Sequence, residues 1–198
     1  MTTGARDLDD HIVVNARELR DGLYRASRTG GAAHGEASSV ATATVFAAGQ
    51  LGVDIERFVQ TLERGELPLF GLPLVLRVQA ELQPVAVPDG GTVSDVLYFV
   101  VEALRTGHVV QIGTENGRTV SVPELIHGGL DHPITRLEPA VNPVDHADVQ
   151  RVTARVADRA HTIEKQGLVV PIGLWTRLNR LAARFLISEA VMDAAAGA

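Results

Sequence analysis

Cysteine is absent from this 198-residue chain, so disulfides, thiolate nucleophiles and thiolate metal sites are excluded by the residue list alone. Lysine is almost absent as well. Lys165 is the single lysine among eighteen basic residues and the formal net charge is −6, which argues against nucleic acid as a partner, because phosphate binding needs a concentrated positive surface. Aromatic residues make up only 4% of a chain that is 45% hydrophobic, so the core has to be built from Ala, Val and Leu. Long apolar runs are missing too. The most apolar stretch, Leu67 to Val78, is broken by Pro68, Gly71, Pro73 and Arg77 and is far shorter than the roughly 20 residues a spanning helix requires. No membrane partner is expected. Thr2 to Asp10 carries acids rather than a basic stretch followed by an apolar one, so it does not read as a secretory signal, and a cytoplasmic location is the default expectation.

Several motifs are also lacking. There is no G-x-S-x-G elbow and no G-x-x-x-x-G-K-[ST] loop, and the glycines at 30, 31 and 35 follow a helical pattern rather than a strand. Ordinary serine hydrolases, nucleotide hydrolases and dinucleotide-binding enzymes are therefore disfavoured, and no cofactor is expected.

What is present predicts a mostly helical α+β single domain with a small antiparallel sheet built on a central β-hairpin at about 108–122. Residues 1–10 form a disordered tail in this scheme, 11–190 the globular domain, and 191–198 a frayed end. His11 to Val14 suits a short strand or a lead-in. Asn15 is then a good N-cap for a helix from Ala16 to about Ser27, stopped by Thr29-Gly30-Gly31. An Ala-rich helix follows from His34 to Leu51, and a third carries Ile55, Phe58, Val59 and Leu62 at helical spacing behind Asp54 as its cap. These complete a helical part over 15–65. In the central part, 66–141, the segment Glu66 to Pro88 suits either a helix over 72–82 or two short strands. Thr92 or Ser94 caps a helix to about Arg105. Val109, Val110 and Ile112, then Glu115-Asn116-Gly117, then Val120 and Val122 give the hairpin, since Asn-Gly between β-branched runs is a strong short-range signal. Arg136 to Val141 suits a further strand. A C-terminal helix pair over 145–188 has apolar stripes at Val149, Val152, Val156, Ala160 and Ile163, and at Leu174, Leu178, Leu181 and Phe185.

The densest collection of reactive groups is Pro123 to Pro133. His127 or His132 could act there as a general acid or base with Asp131 or Glu124 orienting the ring, because imidazole titrates near neutral pH and Gly128-Gly129 would let a substrate approach the backbone. Turn chemistry explains the same residues: a helix stop at Gly128-Gly129 and a surface turn at Asp131-His132-Pro133. Glu124-x-x-His127 and Asp158-x-x-His161 have the spacing of metal-ligand pairs on one helix face, but no complete ligand set is visible, so no metal is expected. His34, with Gly30 and Gly31, lies where two helices meet and could bind an anion at a helix N-terminus.

Ile12 to Leu62, with Arg25-Ala26-Ser27-Arg28-Thr29-Gly30 and Gly35-Glu36-Ala37, and the C-terminal residues Gly167-Leu168-Val169, Leu174-Trp175 and Leu181-Ala182-Ala183-Arg184 resemble the two ends of an uncharacterised bacterial family of about this length. That resemblance implies no activity and transfers no catalytic residue. The first helix pair is also similar to the start of malate and lactate dehydrogenase-like enzymes, without their cofactor site. Two functions are consistent with the chain. One is a cytoplasmic bacterial binding or accessory protein, a homo-oligomer or an enzyme's partner, whose contact surface includes Leu67 to Val78. The other is a small-molecule enzyme using acid-base chemistry around 123–133.

Overall fold

The computed structural model describes residues 10–52, 55–68, 71–122, 124, 132–140 and 146–196, and for 146, 148 and 186–196 the backbone alone. The chain is α+β and mostly helical. Its helices are α1 (Ala16–Thr29), α2 (His34–Leu51), α3 (Glu56–Glu63), α4 (Gly71–Glu81), α5 (Val93–Arg105), α6 (His146–Gln166) and α7 (Ile172–Ala196). Its strands are β1 (His11–Val14), β2 (Val85–Ala86), β3 (Val110–Thr114), β4 (Thr119–Val120), β5 (Ile134–Pro139) and β6 (Leu168–Pro171). The residues cluster into two compact units, one made of 1–41, 54–68 and 162–198, the other of 42–53 and 69–161.

In the first unit α1 packs along α7. Leu19, Leu23 and Ala26 recur on one face of α1 and are buried, as are Leu174, Leu178 and Leu181 on α7. Gly22 allows the close approach: a Cβ there would already touch Leu178 at 3.4 Å. Asn15 caps α1 by accepting from the Arg17 N–H at 2.8 Å. The far end is closed by a Schellman motif, in which Ala32 N–H donates to Ser27 O and Gly31 N–H to Arg28 O, with Gly31 at φ +97°. The α7 backbone continues to Ala196, past residue 190 where the sequence ends the domain, as the helix-favouring Met192 and Ala194 to Ala196 allow. The tail at 1–9 and the Asp54 cap lie outside the described residues.

Arg177 ties α7 to α3. Its Nη1 donates to Glu56 at 2.6 Å and its Nε and Nη2 to Glu63 at 2.9 and 2.5 Å, which holds both carboxyls below the ordinary glutamate range. A carboxylate with a depressed pKa stabilises the fold above its unfolded value, near about 4.3, and loses that contribution as the pH falls through the lower folded value. The three side chains are about a third exposed, so the network contributes only about 1 kcal/mol after solvent screening. Arg177→Met should therefore lower stability by that amount at pH 7 and by almost nothing in acid strong enough to protonate both folded-state carboxyls. Urea unfolding of both proteins at pH 7 and in such acid tests this, and a gap that persists in acid would refute it.

In the second unit α5 is apolar nearly all round, with Val93, Val96, Leu97, Val100 and Val101 buried, which suits a central helix. A four-stranded antiparallel sheet of order β2-β5-β3-β4 contributes Val110, Ile112, Ile134 and Leu137 to the same core. The segment that sequence left between helix and strand forms α4, followed by the two-residue β2. Val75 and Val78 are buried on one face of α4, and Pro73 lies in its first turn, where a missing N–H interrupts no helical bond. The hairpin forms at Asn116-Gly117, but with a three-residue loop. Gly117 N–H donates to Thr114 O, Thr114 N–H to Arg118 O, and Gly117 sits at φ +79°, the arrangement of a type I turn closed by a left-handed residue.

Candidate functional site

Glu124 follows directly from the hairpin. Ser121-x-x-Glu124 has the spacing of a helix capping box, and Glu124 reaches back to accept from the Ser121 N–H and hydroxyl, both at 2.9 Å, while Arg118 donates to its other oxygen at 3.1 Å. The Ser121 N–H and hydroxyl, with Arg118 adding to them, hold this carboxyl below the ordinary range. A carboxylate so held is a weak base, and its partners are those of a helix cap. His127 and Asp131 lie outside the described residues.

His132 contributes through its backbone. Its carbonyl accepts from Val93 N–H at 2.9 Å, one of the free donors at the start of α5, and Ile134 N–H donates to Gly91 O at 3.0 Å. With the isolated bridge between Thr92 and Pro133, residues 132–134 strap the first turn of α5, whose Thr92 N–H is taken by Asp95 at 2.8 Å. The His132 side chain is exposed. It makes no hydrogen bond to Glu124, whose side-chain partners among the described residues are Ser121 and Arg118.

Asp158 and His161, the second carboxylate–imidazole pair, are both exposed on α6. Among the described residues no group of three or more His, Asp or Glu converges as a metal would require.

Gly30, Gly31 and His34 stand together at the turn from α1 to α2. Gly31 supplies the left-handed conformation of the Schellman motif, and a Cβ on Gly30 would meet Leu62 at 3.1 Å, so its smallness serves packing against α3. His34 Nδ1 is hydrogen-bonded to the Tyr24 hydroxyl at 2.8 Å, and the two rings meet edge-on at 5.6 Å. Tyr24 in turn meets Phe185 edge-on, and the Arg28 guanidinium lies 5.8 Å from the Phe185 ring centre. At the start of α2 the Ala33 N–H is met by the chain's own Glu36 carboxylate at 2.9 Å.

Two surfaces were not singled out from sequence. The first is an open groove of about 260 Å³ in the second unit, lined by Val78, Gln79, Leu82, Gly107, His108, Val109, Val110, Pro139 and Ala140. Among the described residues its lining has one imidazole, His108, and one amide, Gln79, and no carboxylate. Leu82 at its rim is 70% exposed and sits at φ +52°, the left-handed position just past α4 that glycine usually takes. The second is the two-stranded ribbon of β1 and β6 in the first unit, where Ile12 faces Val170, Val13 faces Val169 and Val14 faces Leu168. Val14 and Val170 are buried, whereas Val13 and Val169, on the opposite face, are 62% and 68% exposed. Ile12 and Ile172 are exposed as well. The apolar run Leu168 to Val170, with two β-branched valines behind Gly167, was the available signal for β6.

Comparison with protein families, with curated proteins and with solved structures finds no match. Among the described residues no helix is long and apolar enough to cross a membrane.

Proposed function

We propose that this chain is a binding or accessory protein that works through protein–protein association in a bacterial cytoplasm. The observation that carries the proposal is the β1–β6 ribbon. It places two β-branched side chains opposite each other on its outer face at 62% and 68% exposure, in a sheet that has two strands among the described residues. Exposed apolar strands of this kind are sites of partner binding or aggregation unless blunted by charge or proline, and β1 carries neither. Lack of cysteine and the bacterial resemblance of the two chain ends support the setting. The partly exposed Leu76 in the Leu67 to Val78 segment is a lesser contribution to contact surface. Acid–base catalysis around 123–133 is the weaker proposal, because Glu124 is engaged as a helix cap.

The test is light scattering of the purified protein alongside the double variant Val13→Lys, Val169→Lys. The wild type should be larger than a monomer, by self-association or by a retained partner, and the variant should be a monomer with an unchanged circular dichroism spectrum. A monomeric wild type with nothing bound would refute the proposal.

A further inference from the structure

The turn of the central hairpin, Asn116-Gly117, is also a reactive dipeptide. An asparagine side-chain amide is an acyl group one residue away from a backbone nitrogen, and glycine, having no Cβ, leaves that nitrogen open to approach it. Asn15 precedes Ala16, Asn142 precedes Pro143 and Asn179 precedes Arg180, so Asn116 is the one asparagine followed by glycine. In the cyclisation Gly117 N gives up its proton and bonds to Asn116 Cγ, the Cγ–Nδ2 bond breaks, and Nδ2 leaves as ammonia. Water then opens the cyclic imide at one of its two carbonyls, giving aspartate or isoaspartate. The net change exchanges ammonia for water.

The folded hairpin holds the reacting atoms apart. Gly117 N–H donates to Thr114 O at 2.9 Å, which makes 114–117 a β-turn, and neither Glu115 nor Asn116 has a positive φ, so the turn is type I. At the third position of such a turn ψ is about 0°, which sets Gly117 N alongside the Asn116 backbone nitrogen rather than alongside its Cβ. The side chain is held as well. Its Oδ1 accepts from the Arg118 N–H at 3.1 Å and from the Thr114 hydroxyl at 2.5 Å. The bond from Gly117 N–H to Thr114 O also opposes loss of its proton, since it stabilises the protonated form. Cyclisation therefore requires Gly117 to leave Thr114 O and its peptide plane to turn about the Asn116 Cα–C bond. The second strand of the hairpin, β4, is two residues long, so this opening is local and leaves the core around α5 intact.

We infer that Asn116 is a modification site of this chain, deamidated through Gly117 N at a rate set by opening of the hairpin at 114–118. The two products differ in what they do to the turn. Aspartate keeps the main chain, and its carboxylate accepts the same two donors from Thr114 and Arg118. Isoaspartate routes the main chain through Cβ, one atom longer, so the bonds from Gly117 N–H to Thr114 O and from Thr114 N–H to Arg118 O no longer close together. Arg118, which donates to Glu124 at 3.1 Å, loses its fixed position with them. A reversible local opening thus becomes a permanent one.

The test keeps the full chain at mildly alkaline pH, folded or in urea, and then digests it with trypsin. Cleavage after Arg105 and Arg118 places Asn116 in a peptide with no other asparagine, and chromatography with mass spectrometry separates its aspartate and isoaspartate forms. In urea Asn116 should react well ahead of Asn15 and Asn179. In the folded protein it should react at least about tenfold more slowly than in urea, and by the same factor by which the fold slows hydrogen exchange of the Gly117 amide, because one opening exposes both. Thr114→Val, which takes the hydroxyl from Asn116 Oδ1, should raise the folded-state rate and lower the Gly117 protection together, with no change in urea. If that variant melts abnormally, the wild-type comparison alone decides. A folded protein that deamidates at the urea rate, an Asn116 no faster than Asn15 in urea, or a folded-state rate that departs from the Gly117 protection overturns the inference.

Discussion

Gly71→Ala is expected to destabilise the protein by roughly 2–3 kcal/mol, a fall in Tm of about 5–10 °C. The sign is opposite to helix propensity, since alanine in a helix is favoured over glycine by about 1 kcal/mol. Contact geometry wins because a Cβ on Gly71 would stand 2.2 Å from the Asp95 carbonyl oxygen and 3.0 Å from the Val96 Cα. These are backbone atoms of α5, the most buried helix of the second unit, so no side chain can swing aside to make room. The start of α4 would have to move, and with it the packing of Val75 and Val78. Gly35→Ala is the control: it lies in the first turn of α2, a Cβ there meets nothing within 4 Å, and this variant should be as stable as the wild type or slightly more so. Calorimetry of the two variants decides the matter. A Gly71→Ala protein that melts with the Gly35→Ala protein would mean that α4 does not approach α5 at this point.

Gly167→Ala should lose stability on two counts and association with it. Gly167 has φ +75°, a region that strains an L side chain by about 1–2 kcal/mol. Its Cβ would also fall 2.7 Å from both Val14 O and Val13 Cγ1. The carbonyl belongs to the β1 backbone, so relief of the clash requires β1 to shift against β6. The sum is roughly 3 kcal/mol, and the surviving folded protein should present a displaced Val13. Gly117→Ala separates the two contributions. It shares the left-handed backbone at φ +79° but has open space around its Cβ, so it should cost about 1 kcal/mol and leave association unchanged. Urea titration gives the stabilities and light scattering the association. Equal effects at the two glycines would show that β1 is not held against Gly167.

Much of the helical framework could be read directly from residue order. Asn15 before Ala16, the Gly30-Gly31 stop, and the spacing of Leu19 and Leu23 describe α1 because caps and apolar stripes act within one or two turns. The Asn116-Gly117 hairpin is local in the same sense, and only its loop length differed, set by the left-handed Gly117. The segment at 71–86 was ambiguous because its prolines suit a first helical turn as well as a break. Burial of Val75 and Val78 on one face decides for the helix.

The 123–133 segment was harder. Ser121-x-x-Glu124 spelled a capping box, but a carboxylate near two histidines also spells an acid–base site, and only the direction in which Glu124 turns separates them. It turns back to Ser121 and Arg118. His132 likewise gave no sign that its carbonyl, rather than its imidazole, would meet the start of α5.

By itself the sequence determined that thiol chemistry is closed to this chain, where its principal helices begin and end, and where its central hairpin turns. Those are properties of residue type and of interactions a few positions apart. The tertiary structure decided that His11 to Val14 is a strand and what it pairs with. Four residues cannot hold an extended conformation alone. Their partner, Leu168 to Pro171, lies near the other end of the chain, and the two are joined because packing α1 along α7 brings them together and buries Val14 and Val170 on one face of the ribbon.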